Sequence, residues 1–86
     1  GLLFSDCDPV RLRQAMAEQE GWFSFRLATD EAYESAVQTL FREGQIWDIM
    51  RQAGLRAESQ VIYSLRDPFR EISVRLEKNT EDEEQP

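Results

Sequence analysis

The densest grouping of reactive side chains in this chain is Asp6-Cys7-Asp8, directly after the apolar run Leu2-Leu3-Phe4. A thiol and two carboxylates so close together are raw material for a nucleophile, a general acid or a set of metal ligands. What is missing narrows that chemistry. The 86 residues contain no histidine and a single cysteine. No imidazole is therefore available to take a proton from a thiol or hydroxyl, and histidine-bearing metal sites are excluded. The acids on both sides of Cys7 also disfavour its thiolate. Cys7 reads as a packed or loop thiol. Asp6, Cys7 and Asp8 lack a fourth ligand and follow no recognised metal spacing, so no metal and no cofactor is expected.

The run Leu2-Leu3-Phe4-Ser5-Asp6-Cys7-Asp8-Pro9-Val10, an apolar strand entering Asp-x-Asp, resembles the first motif of haloacid-dehalogenase-type phosphotransferases. That resemblance implies Asp6 as nucleophile, Asp8 as acid/base and Mg²⁺ between carboxylates. It covers nine residues, and Val10 stands where the motif usually has Thr. The chain is too short for the doubly wound sheet of that family, and no later acid pair follows a strand. Asp8 ahead of Pro9 is better read as a helix N-cap with Pro at the first helical position, where a missing N–H costs nothing.

Two further groupings are worth weighing. Glu31 with Glu34, or Glu58 with Glu71, could form the carboxylate pair of a mechanism that needs no histidine. Neither pair has an aromatic context that would raise one pKa, and solvated surface acids are the reading. Arg66 and Arg70 flank Asp67-Pro68-Phe69, and two guanidinium groups around a turn suit a carboxylate or phosphate. The plainer alternative is a polar hairpin tip with a local Asp–Arg pair.

The elements that would position these residues are well punctuated. A short strand or ordered lead-in at Leu2–Ser5 precedes a helix from Asp8-Pro9 to about Glu20, with Leu12, Ala15 and Met16 on one face and Gly21 as its stop. In Trp22–Ala28, Phe23, Phe25 and Leu27 share one face of a strand, opposite Ser24 and Arg26. Thr29-Asp30-Glu31 caps a second helix whose stripe is Tyr33, Ala36, Val37, Leu40 and Phe41. Gly44 interrupts it, and a shorter helix over Gln45–Ala53 turns Ile46, Ile49, Met50 and Ala53 inward. Gly54 and Leu55 suit a Schellman end. The last third reads as a hairpin. Val61, Tyr63 and Leu65 face inward on its first strand, Asp67-Pro68 supplies a type I turn, and Ile72, Val74 and Leu76 face inward on its second. One parallel pair is possible through the long connection from strand 22–28 to strand 59–65.

The expected fold is α+β, a two-layer sandwich in the order (β)-α-β-α-α-β-β. A three- to four-stranded, mostly antiparallel sheet carries helices on one face. One domain spans 1–78, and 79–86 is a disordered acidic tail. A first residue of glycine rather than methionine points to a piece of a longer protein.

Net charge is −7, with residues 77–86 contributing five acids against Lys78. Nothing resembles the basic stripe that a phosphate backbone requires, so no nucleic acid is expected. No apolar run is long enough for a membrane span, and Leu2-Leu3-Phe4 is too short for a signal-peptide core. The lone cysteine fits a reducing, cytoplasmic setting.

What chemistry does not absorb is an apolar surplus. Trp22 is out of phase with Phe23, Phe25 and Leu27, Trp47 lies one position off the Ile46/Met50 stripe, and Ile62 opposes Val61 and Tyr63. Large aromatics left in water mark contact sites. The expectation is a non-enzymatic interaction or assembly domain. It would self-associate as a homodimer through Trp22, Trp47 and Ile62, with an open sheet edge able to pair across a two-fold axis. The alternative is a small ferredoxin-like regulatory module that binds an anionic metabolite through Arg66 and Arg70.

Overall fold

In the computed structural model, which describes residues 2–57 and 61–78, the alternating apolar positions pair into one four-stranded sheet. The elements run β1 (Leu2–Phe4), α1 (Pro9–Ala17), β2 (Gly21–Leu27), α2 (Asp30–Val37), a π-helical turn over Gln38–Arg42, α3 (Gln45–Gln52), β3 (Tyr63–Arg66), a 3-10 turn over Asp67–Phe69, and β4 (Glu71–Leu76). The sheet order is β1-β2-β4-β3, with β1 parallel to β2 and the other pairs antiparallel. This is the α+β sandwich expected from the pattern. Glu58 and the acidic segment 79–86 lie outside the described residues.

The lead-in at Leu2 is a genuine strand, and the parallel pair is made here rather than through the long connection. β1 and β2 are neighbours because α1 returns the chain by a crossover, whereas β3 touches only β4. A ferredoxin-like split βαβ unit would leave a strand between the two. Here there is none.

One core lies between sheet and helices. Phe4, Phe23, Phe25, Leu27, Ile72, Val74 and Leu76 from the sheet meet Leu12 and Met16 of α1, Tyr33 and Ala36 of α2, and Ile46, Ile49 and Met50 of α3. Phe25 sits at its centre, with Phe4 5.4 Å and Phe23 5.5 Å away between ring centroids. These side chains cluster because each strand turns every second residue, and each helix every third or fourth, to the same side.

The helix ends follow the punctuation with one exception. Asp8 Oδ1 accepts from the Val10 N–H at 3.0 Å, and Thr29 Oγ1 from the Ala32 N–H at 3.1 Å. At the end of α3 the Leu55 N–H reaches the Met50 carbonyl (2.9 Å) and the Gly54 N–H that of Arg51 (3.1 Å), a full Schellman end with Leu55 buried. The exception is α1, which stops at Ala17. Gly21 does hold a positive φ of 86°, but it uses that freedom to enter β2 rather than to close the helix.

The turn at Asp67-Pro68 forms as read, with the Arg70 N–H on the Asp67 carbonyl at 3.1 Å. The stripe of α2 breaks into a π turn at Gln38–Arg42, which helical spacing did not announce. There Phe41 stacks on Tyr63 of β3, with ring centroids 4.2 Å apart and planes 23° from parallel. Among the described residues, no helix is long and apolar enough to cross a membrane.

Candidate protein interface

With the three helices of the described residues on one side, none of those residues covers the other side of the sheet, and the strand register orders this bare face into rows. Trp22 of β2 is opposite Arg75 of β4, and the Arg75 N–H bonds the Ile62 carbonyl at 3.0 Å. Trp22, Arg75 and Ile62 therefore form one row across the strands. The middle row is Ser24, Ser73 and Ser64, whose first two hydroxyls bond each other at 2.8 Å. The third row is Leu3, Arg26, Glu71 and Arg66.

Trp22 and Ile62 are each 55% exposed and Leu3 66%, so the two residues that broke the inward pattern both stand on this face. They flank Arg75 in the register, so the row sets two apolar side chains on either side of a cation. No helix among the described residues packs over them. Trp47 is placed elsewhere. It lies on α3, half-buried at the rim of the core, with its ring against Gly44, where an added Cβ would come within 2.4 Å of Cζ3.

The two arginines singled out at the turn do not converge. Arg66 projects onto the bare face and lies 3.8 Å from Glu71. Arg70 turns the opposite way, its Nε donating to the Leu27 carbonyl and its Nη1 to Asp30, both at 3.1 Å. Arg70 has φ of 51°, a left-handed conformation held from both sides, since its own carbonyl accepts from the Leu27 N–H at 3.0 Å. The two guanidinium groups therefore form no common anion site.

In the loop that follows β1, Asp8 is committed to its helix cap. Burial pushes the Cys7 thiol up to about 11, with the charges of Asp6 and Asp8 adding to the effect, so the thiol form dominates at neutral pH. No cluster of three metal-ligating side chains occurs among the described residues. Glu31 and Glu34 are exposed on α2, beside an open groove whose far wall is the β3–β4 turn. There the Tyr33 hydroxyl donates to Asp67 Oδ1 at 2.7 Å. Desolvation raises the Tyr33 pKa to about 12, and the hydrogen bond and negative charge of Asp67 add to it.

The serine row and the sign of charge on the bare face went unnoticed in the sequence. Period-two alternation puts Ser24, Ser64 and Ser73 on outward positions, but only the register makes them neighbours. No family model matches this chain, and neither a curated protein nor a solved structure matches it.

Proposed function

We propose that this chain is a non-enzymatic protein–protein interaction domain whose contact surface is the bare face of the sheet, and that it self-associates there. One observation carries the reading: Trp22 and Ile62, each 55% exposed, sit side by side across Arg75 on a face that no helix covers. A fold that buries Phe23, Phe25, Leu27, Ile72, Val74 and Leu76 on the inward side of its two central strands, yet holds an indole in water, gains by covering it with another surface.

Surrounding features favour binding over catalysis. The thiol of Cys7 is held in its unreactive form, and Asp8 is used as a cap. A reducing, cytoplasmic setting suits a chain with one thiol.

Light scattering over a concentration series tests the reading. The expected result is a dimer that dissociates on dilution and is lost in Trp22→Ser and Ile62→Ser, while circular dichroism shows both variants folded. A strict monomer whose Trp22→Ser form behaves identically overturns it.

A further inference from the structure

The bare face inverts the charge of the molecule. The chain as a whole carries −7, yet the outward positions of the four strands hold Arg26, Arg66 and Arg75 against Glu71 alone. Just beyond β4, Glu77 lies 3.7 Å from Arg75 and 3.9 Å from Arg56, so that carboxylate is shared between two cations. Among the described residues the other acids lie on helices and in loops, and this face is where a negatively charged group meets a favourable field.

We propose that the face takes an extended acidic segment of a partner protein. The inference rests on the reading of this face as the contact surface and names the chemistry of what binds there. The spacing fits such a segment. Rows two residues apart on a strand lie ~7 Å apart, so the Arg75 row and the Arg26/Arg66 row are separated by ~14 Å, the distance between side chains i and i+4 of an extended chain. Acids four residues apart reach both rows, the side chain between them passes over the low serine row, and an apolar residue at one end covers Trp22. Guanidinium forks suit carboxylates, which they grip with two parallel hydrogen bonds. A single-stranded nucleic acid is the poorer fit. It stacks successive bases on several aromatic rings, and among the described residues the outward strand positions supply Trp22 alone.

Anisotropy of a fluorescein-labelled oligoglutamate peptide, titrated with the unmodified chain, tests the proposal. Saturable binding that weakens with added salt is expected. The double variant Arg66→Gln/Arg75→Gln should weaken it by ~10-fold or more, while Glu71→Gln, which removes the one acid among the rows, should tighten it. Because the two variants act in opposite directions, loss of folding cannot imitate the pattern. Absence of binding, insensitivity to both variants, or tighter binding of oligolysine or oligothymidylate overturns the proposal. If self-association still depends on Trp22 while the peptide does not bind, this inference alone fails. If neither occurs, the function proposed above fails with it.

Discussion

The phenol of Tyr33 and the carboxylate of Asp67, 34 residues apart in the chain, are joined by a 2.7 Å hydrogen bond that ties α2 to the β3–β4 turn. Tyr33 is buried apart from this edge. The ring belongs to the core and only the hydroxyl reaches the groove. The contact also links the hairpin, whose outward side forms the bare face, to the helical layer.

Burial of this phenol, reinforced by the bond to Asp67, sets an alkaline limit on stability. The Tyr33 pKa is raised in the folded chain from its ordinary value of 10.0 to about 12. Between those values the folded state holds a proton that the unfolded state has lost, so stability falls as pH rises through this window. The contribution is fully present below pH 10. Thermal melts of the wild type should decline from pH 10 to 12, and Tyr33→Phe should flatten that decline. At neutral pH Tyr33→Phe costs about 1 kcal/mol, the usual net worth of such a bond. A variant with an unchanged alkaline limb contradicts the assignment.

Gly44 predicts a steric conflict. Its φ is 81°, and a Cβ there would meet Cζ3 and Cε3 of Trp47 at 2.4 and 2.6 Å. Gly54, with φ of 80°, has nothing within 4 Å of the same position. Gly54→Ala should therefore cost only the left-handed penalty, about 1–2 kcal/mol. Gly44→Ala adds overpacking of about 1–3 kcal/mol. Urea unfolding of both variants measures the difference, and in a Trp47→Leu background that difference should shrink. Equal costs in both backgrounds would show that the ring yields without strain.

Trp22 and Phe25 lie three residues apart on β2 but on opposite faces. Phe25→Ala empties the centre of the core and should cost about 3–5 kcal/mol. Trp22→Ala removes a larger ring, yet should change stability by no more than about 1 kcal/mol when measured on monomer at high dilution. A large loss for Trp22→Ala would mean the indole holds the fold together, leaving the interface without its anchor.

Cys7 should react slowly. With the thiol pushed up to about 11, alkylation by iodoacetamide at neutral pH should run well below the rate for the urea-unfolded chain, and should speed up as pH approaches that value. Equal native and unfolded rates would show the thiol to be an ordinary exposed one.

Much of this architecture was legible before any coordinates, because it depends on local rules. Asp8 and Thr29 cap their helices through backbone N–H groups two or three residues away. Gly54 and Leu55 close α3 with bonds that span five residues at most. The inward stripes of β2 and β4 follow from the period of an extended chain. Where the reading slipped, a contact between distant segments had won. The end of α1 retreats to Ala17 as the chain turns to enter β2 beside β1. The π turn at Gln38–Arg42 sets Phe41 against Tyr63, more than twenty residues ahead, and helical spacing carries no record of that partner.

The same division holds for the interface. The sequence by itself determined that Trp22 and Ile62 point away from their strands' apolar neighbours, since side chains alternate along any extended backbone. It also separated Arg66 from Arg70 by an Asp-Pro turn. Only the tertiary structure decided that Trp22 and Ile62 share one row, that all three helices lie on the opposite side, and that three arginines gather on a face of an acidic chain. It also turned Arg70 away toward Asp30. The physical reason is register. Hydrogen bonding between strands sets which outward residues become neighbours, and that pairing is chosen by the burial of the inward face, whose residues say nothing of what their opposite numbers will meet.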